Sequence, residues 1–177
     1  DQRLDVRRIL QHLEHDCPLA GDDLGIVERM DEGKPALFGE FQRLCVGLIE
    51  HLAVQHDFGR RSRHEILTSE AMTVLEEIDG ARRHLRRWMR PQRRRVDALF
   101  RPARAEIRHQ PLGVVGIIAP WNYPVNLALV PLVAAIAAGN HVLLKPSEHT
   151  PHTAVFLERL LAQVLPADRV AVVQGEA

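Results

Sequence analysis

Cysteine is nearly absent: Cys17 and Cys45 are the only two in 177 residues. Two cysteines outside any CxxC pair make no disulfide framework, so a reducing, cytoplasmic setting is expected. Long apolar runs are lacking too. The longest, Leu127 to Gly139, is too short for a bilayer and contains Pro131, so no membrane partner is expected. The opening Asp1-Gln2-Arg3 has no signal-peptide character and no initiator methionine. The last residues follow directly on the apolar segment Val170–Val173. The expectation is a piece of a longer protein, cut at both ends. A GxGxxG fingerprint is missing as well, which weakens any reading of a dinucleotide site from glycines alone.

Net charge is zero, but unevenly built. Residues 1–80 carry 9 basic against 17 acidic side chains, a net of −8. Residues 81–110 carry 11 arginines against Asp97 and Glu106, a net of +9. A basic block beside Trp88 is one signature of nucleic-acid binding. The plainer reading is that these arginines surround a core-facing stripe and pair with the acidic N-terminal part. No nucleic-acid partner is expected.

The hydrophobic content of 46% supports a real core. Apolar residues at helical spacing predict helices over 4–30 and 37–56, the second broken by Asp57-Phe58-Gly59. A longer helix follows. Its stripe runs through Leu67, Ala71, Val74, Ile78, Ala81, Leu85 and Trp88 toward a core, and Pro91 ends it. Arg104 to Ile107 alternates like a strand. Beyond that, Val114–Ile118, His141–Leu144 and Val170–Val173 read as buried strands. Between them lie helices over 126–138, closed by Gly139, and from Thr150 as N-cap to about Leu165. The order β-α-β-α-β predicts an α/β fold: a helical N-terminal region, then the first half of a doubly wound parallel-sheet dinucleotide-binding domain. The expected divisions are a helical region 1–56, a long helix with a strand or arm over 57–109, and a partial nucleotide-binding domain over 110–177.

In such sheets, ligands bind at the carboxyl ends of the strands. Three features fall there: Pro120-Trp121-Asn122-Tyr123-Pro124, Lys145-Pro146-Ser147-Glu148, and Gly175. A lysine and a glutamate can clamp ribose hydroxyls, one donating and one accepting. An asparagine amide can donate to a developing oxyanion. Read from residue types alone, Asn122 is also an ordinary turn former, and Lys145 with Glu148 a solvated pair.

Several longer strings bear on that choice: Pro111-Leu112-Gly113-Val114-Val115-Gly116-Ile117-Ile118, Pro120 to Pro124, Ala137-Ala138-Gly139-Asn140, and Leu144 to Pro151. In this order and at these spacings they strongly resemble the aldehyde dehydrogenase superfamily, over roughly residues 57–175. Asp57-Phe58-Gly59 and the helix end Ala81 to Met89 resemble the branch that includes coniferyl aldehyde dehydrogenases. The resemblance implies NAD or NADP as cofactor, an aldehyde substrate and a homo-oligomeric full-length protein. It matches Asn122 to the oxyanion-hole asparagine and Lys145 and Glu148 to the adenosine-ribose contacts. Pro120 and Trp121 match residues lining the cofactor cleft, and Gly175 falls near the adenine side. Lys145 serves equally a ribose hydroxyl or a 2′-phosphate, so NAD and NADP stay open. The family's cysteine nucleophile attacks the aldehyde, and its glutamate activates water against the thioester. Neither Cys17 nor Cys45 matches that nucleophile, so the chain alone is expected to be inactive.

Residues 1–36 do not match this family well. His12, Glu14, His15 and Asp16, with Glu50, His51 and His56, faintly resemble half of a hemerythrin-like bundle with His15 and His51 as ligands. The pattern fails where HxxxE is wanted, since Gln55 follows His51, and no metal site is expected. The alternative reading is therefore a helical metal-binding or basic nucleic-acid-binding module fused to a dehydrogenase remnant.

Overall fold

The structure is a computed structural model that describes residues 53–176. It opens on α1 (Ala53–Phe58), closed by Gly59 in the left-handed region at φ 68°. The helix thus runs through Asp57 and Phe58, which the sequence reading took as its break. The next helical stretch is continuous but changes pitch: α2 (Arg63–Ile66), a π-helical turn (Leu67–Ala71), then α3 (Met72–Trp88). Ser62 caps its start by accepting from the Glu65 N–H at 3.1 Å.

The predicted stripe is correct over its middle and wrong at its end. Ala71, Val74, Ile78 and Ala81 are buried, but Leu85 is only half-buried. Trp88 is 49% exposed and stacks on His84 with ring centroids 5.7 Å apart. Helix α3 packs against the apolar helix of the sheet half, and its last turn, Leu85 to Trp88, holds no buried residue.

A short antiparallel pair comes next: β1 (Gln92–Arg94) and β2 (Ala105–Ile107), with Arg93 opposite Glu106. Every residue of both strands is exposed, so backbone pairing and not a buried face holds them. The alternation from Arg104 to Ile107 had predicted β2, while the wholly polar β1 had no apolar signal to read.

From residue 114 the predicted order appears in full. Strand β3 (Val114–Ile118) leads to α4 (Asn126–Ala137), then β4 (His141–Lys145), α5 (Pro151–Val164) and β5 (Val170–Val172). The three strands form a parallel sheet in the order β3-β4-β5. Val114 lies opposite His141 and Ile118 opposite Lys145, so β3 and β4 end together at their carboxyl edge. One core joins this sheet to the preceding helices: Val54, Ile66, Val74 and Ile78 cluster with Leu129, Leu132, Val142, Leu144 and Leu157.

Two string motifs have structural roles. Gly139 sits at φ 85°, where a Cβ would come within 3.5 Å of Pro111. Asn140 Oδ1 accepts from the backbone N–H of Leu112 at 2.6 Å and of Gly113 at 3.1 Å, and its Nδ2 donates to the Ala135 carbonyl. This side chain ties the entry of β3 to the end of α4.

Candidate functional site

The sheet brings the three sequence-predicted features to one edge. Pro120, Trp121 and Asn122 form the turn after β3, Lys145 ends β4, Glu148 follows it, and Gly175 follows β5. The Ala119 N–H donates to the Lys145 carbonyl at 2.9 Å, which stitches the first two features together.

The turn is anchored by its backbone. Pro124 and Val125 are buried, whereas Pro120, Trp121 and Asn122 are exposed. Trp121 stacks on Phe58 of α1 at 6.5 Å between centroids. The Asn122 carbonyl accepts from Arg61 Nη2 at 2.8 Å, and its side-chain amide has no hydrogen-bond partner among the described residues. That amide is a donor open to a ligand.

No side chain of its own sequence neighbourhood caps α4; Glu70 does so from the π-helical turn. Its Oε2 accepts from the N–H of Val125 at 3.0 Å and of Asn126 at 2.8 Å, and Oε1 accepts from Arg61 Nη1 at 3.1 Å. A fully buried carboxyl is costly unless its oxygens are met by donors, and here every partner is a donor. Burial pushes the Glu70 carboxyl above its ordinary range; the Asn126 N–H, the Arg61 charge and the Val125 N–H pull against it. Arg61 is itself clamped, with its guanidinium 4.7 Å from the Phe58 ring centre and 4.5 Å from that of Tyr123.

The second feature is a charged pair. Lys145 Nζ donates to Glu148 Oε2 at 2.8 Å. The Lys145 hydrogen bond holds the Glu148 carboxyl below its ordinary range, aided by its own backbone N–H. Thr150 stands at the predicted N-cap of α5 but makes no capping bond there. Its hydroxyl is turned toward the Ser147 carbonyl at 3.4 Å. Asp57 of α1 supplies the cap instead, accepting from the N–H of His152 at 3.1 Å and of Thr153 at 2.9 Å. The third feature, Gly175, has φ 127° and open space where a side chain would stand.

Arg61, Glu70 and Asp57 were missed from sequence. Glu70 left one trace: it lies three residues after Leu67 and four before Val74, on the apolar stripe, where a carboxylate requires donors. Ion pairs of the basic block among the described residues include Arg83 with Asp79 at 3.8 Å and Arg108 with Glu106, while most of the acidic N-terminal side chains expected to pair with it lie outside the described residues. Much of the block's charge lies away from the stripe, on β1 and the segment that joins it to β2, around a cleft of about 540 Å³ lined by Arg93, Arg94, Arg95, Arg101 and Arg104. Among the described residues no group of three His, Cys, Asp or Glu could hold a metal, and no helix is long and apolar enough to cross a membrane. His15, His51, Cys17 and Cys45 lie outside the described residues.

Comparison with known proteins identifies the family. The aldehyde dehydrogenase family profile matches residues 59–177. A Pseudomonas aeruginosa protein named probable coniferyl aldehyde dehydrogenase is 50% identical over 124 residues, covering 70% of this chain and 26% of its own length. Among solved structures, a substrate-bound Staphylococcus aureus AldH matches with a TM-score of 0.74 at 25% identity, over 97% of this chain and 36% of its own. PnpE in complex with nicotinamide adenine dinucleotide matches with a TM-score of 0.73 at 25% identity, over 97% of this chain and 34% of its own. The chain spans about a quarter of the length of the curated relatives it matches.

Proposed function

The chain belongs to the aldehyde dehydrogenase family, and on that premise we propose that the full-length protein oxidises an aldehyde to a carboxylic acid, with NAD or NADP accepting the hydride. The observation that carries the proposal is the joint placement of Asn122, Lys145, Glu148 and Gly175 at the carboxyl edge of one parallel sheet.

The residues present fit a dinucleotide. Lys145 and Glu148 offer an ammonium donor and a carboxylate acceptor 2.8 Å apart, the complement of a ribose diol. Gly175 leaves its backbone open to close approach on the adenine side. Pro120 and Trp121 lie on the same turn as Asn122 and would line the cleft between cofactor and reacting carbon.

Attack on an aldehyde carbon by a cysteine thiolate turns the neutral carbonyl oxygen into an alkoxide. An amide aimed at that oxygen binds it more strongly than it bound the carbonyl, so it lowers the barrier. Among the described residues, the Asn122 side-chain amide has no hydrogen-bond partner. Cys17 and Cys45 do not match the nucleophile, and the proposal places both the thiolate and the water-activating glutamate elsewhere in the full-length protein.

Aldehyde-dependent reduction of NAD or NADP by the full-length protein tests this. Turnover is expected with members of a panel of aliphatic and aromatic aldehydes, and none from the 177-residue chain alone. A folded, cofactor-binding full-length protein that reduces neither cofactor with any aldehyde would overturn it.

A further inference from the structure

We propose that Arg61 and Glu70 are positioning residues for Asn122, gripping the backbone of its turn from the helical side so that its amide is aimed before charge develops. This rests on the reading of Asn122 as an oxyanion donor.

Three observations lead here. First, the turn carrying Asn122 is exposed, and an exposed loop amide would have to be ordered during the reaction unless something held it beforehand. Second, the structure holds it at both ends. Arg61 Nη2 donates to the Asn122 carbonyl, while Glu70 accepts from the N–H groups of Val125 and Asn126, three and four residues on. Asn126 Nδ2 adds a bond to the Ser69 carbonyl at 2.7 Å. Third, the grip spares the Asn122 side chain, which has no partner among the described residues.

The chemistry of both residues suits this role. The Arg61 guanidinium reaches three acceptors at once, on Glu65, Glu70 and Asn122, while its faces meet Phe58 and Tyr123. A lysine would keep the charge and lose both the fork and the stacking. Glu70 is fully buried, and its two oxygens split the work: one holds Arg61, the other the first turn of α4. A glutamine keeps the shape but presents an NH₂ group to one of those donors.

The test uses Arg61→Lys and Glu70→Gln in the full-length protein, each alone and combined with Asn122→Ala. The readouts are kcat, the aldehyde KM and the NAD dissociation constant. Hydrogen exchange over residues 119–126 of the full-length protein adds a readout independent of activity. Each single variant should lower kcat about 10- to 100-fold, leave NAD affinity within about twofold, and speed exchange at the Val125 and Asn126 amides. In the Asn122→Ala background the same substitutions should cost less than about twofold more, because the group they aim is gone. A slow Asn122→Ala enzyme together with near-normal Arg61→Lys and Glu70→Gln enzymes would overturn this proposal alone. Full multiplication of the effects in the double variants would do the same. A normal kcat for Asn122→Ala would overturn the reading of Asn122 and this proposal with it.

Discussion

Asp57 Oδ2 accepts from both the backbone N–H of Thr153, at 2.9 Å, and its hydroxyl, at 2.7 Å, across 96 positions of sequence. A residue of α1 thus satisfies the orphan donors of α5, which begins just after Glu148. Charge at a helix N-terminus adds to the hydrogen bonds.

Asp57→Ala should therefore destabilise the chain by about 1–2 kcal/mol, the upper part of the range for losing an N-cap. Asp57→Asn, which keeps an acceptor oxygen, should lose less. Denaturant midpoints at constant slope measure both. A loss below about 0.5 kcal/mol for Asp57→Ala would mean that water replaces the cap at no cost.

Glu70 should give stability a distinctive pH dependence. Its folded pKa lies above the ordinary value, chiefly through burial. The folded chain then keeps this proton to higher pH than the unfolded chain does. The site's contribution is full below the ordinary carboxylate range and declines as pH rises through the raised folded pKa. Glu70→Gln cannot ionise, so the stability of the parent minus that of Glu70→Gln should fall from acid toward neutral pH. A difference that stays flat or rises would contradict this sign.

Glu148 should behave in the opposite way. The Lys145 hydrogen bond lowers its pKa, so its contribution is present above the ordinary value and lost as pH falls through the lowered one. Carboxyl titration by NMR should place Glu148 below the usual range, and Lys145→Ala should move it back up. An unchanged titration in that variant would show that the pair at 2.8 Å does not persist in solution.

The same carboxylate bears on the cofactor. A 2′-phosphate placed at Lys145 would also face ionised Glu148, a like charge. Glu148→Gln in the full-length protein should therefore raise the affinity for NADP relative to NAD. A lowered ratio would show that the carboxylate does not face the ribose.

The sheet half was legible because its signals are local. Val114–Ile118 and His141–Lys145 are apolar runs stopped by Pro120 and Pro146, and Gly139 and Pro151 mark where one helix ends and the next begins. Strand ends at a shared edge then placed Asn122, Lys145, Glu148 and Gly175 together without further information. What stayed hidden depends on tertiary contact. β1 is three polar residues paired through backbone alone, and Trp88 continues the apolar stripe in sequence yet stands half-exposed. Both helix caps come from carboxylates 55 and 96 positions away, so Thr150, a good local N-cap by residue type, was credited with a bond that Asp57 makes. Arg61 left no signal, since one arginine among many in that stretch of sequence looks like its neighbours.

The central claim is that Asn122 stabilises charge on the reacting oxygen while Lys145 holds the cofactor. Measuring kcat and the NAD dissociation constant for Asn122→Ala and Lys145→Ala in the full-length protein, with one aldehyde and titrated NAD, separates the two roles. Asn122→Ala should lower kcat about 10²–10³-fold with little change in NAD affinity. Lys145→Ala should weaken NAD binding with a smaller effect on the saturated rate. A folded Asn122→Ala enzyme that binds NAD and keeps near-normal kcat would make Asn122 a turn former only and contradict the account.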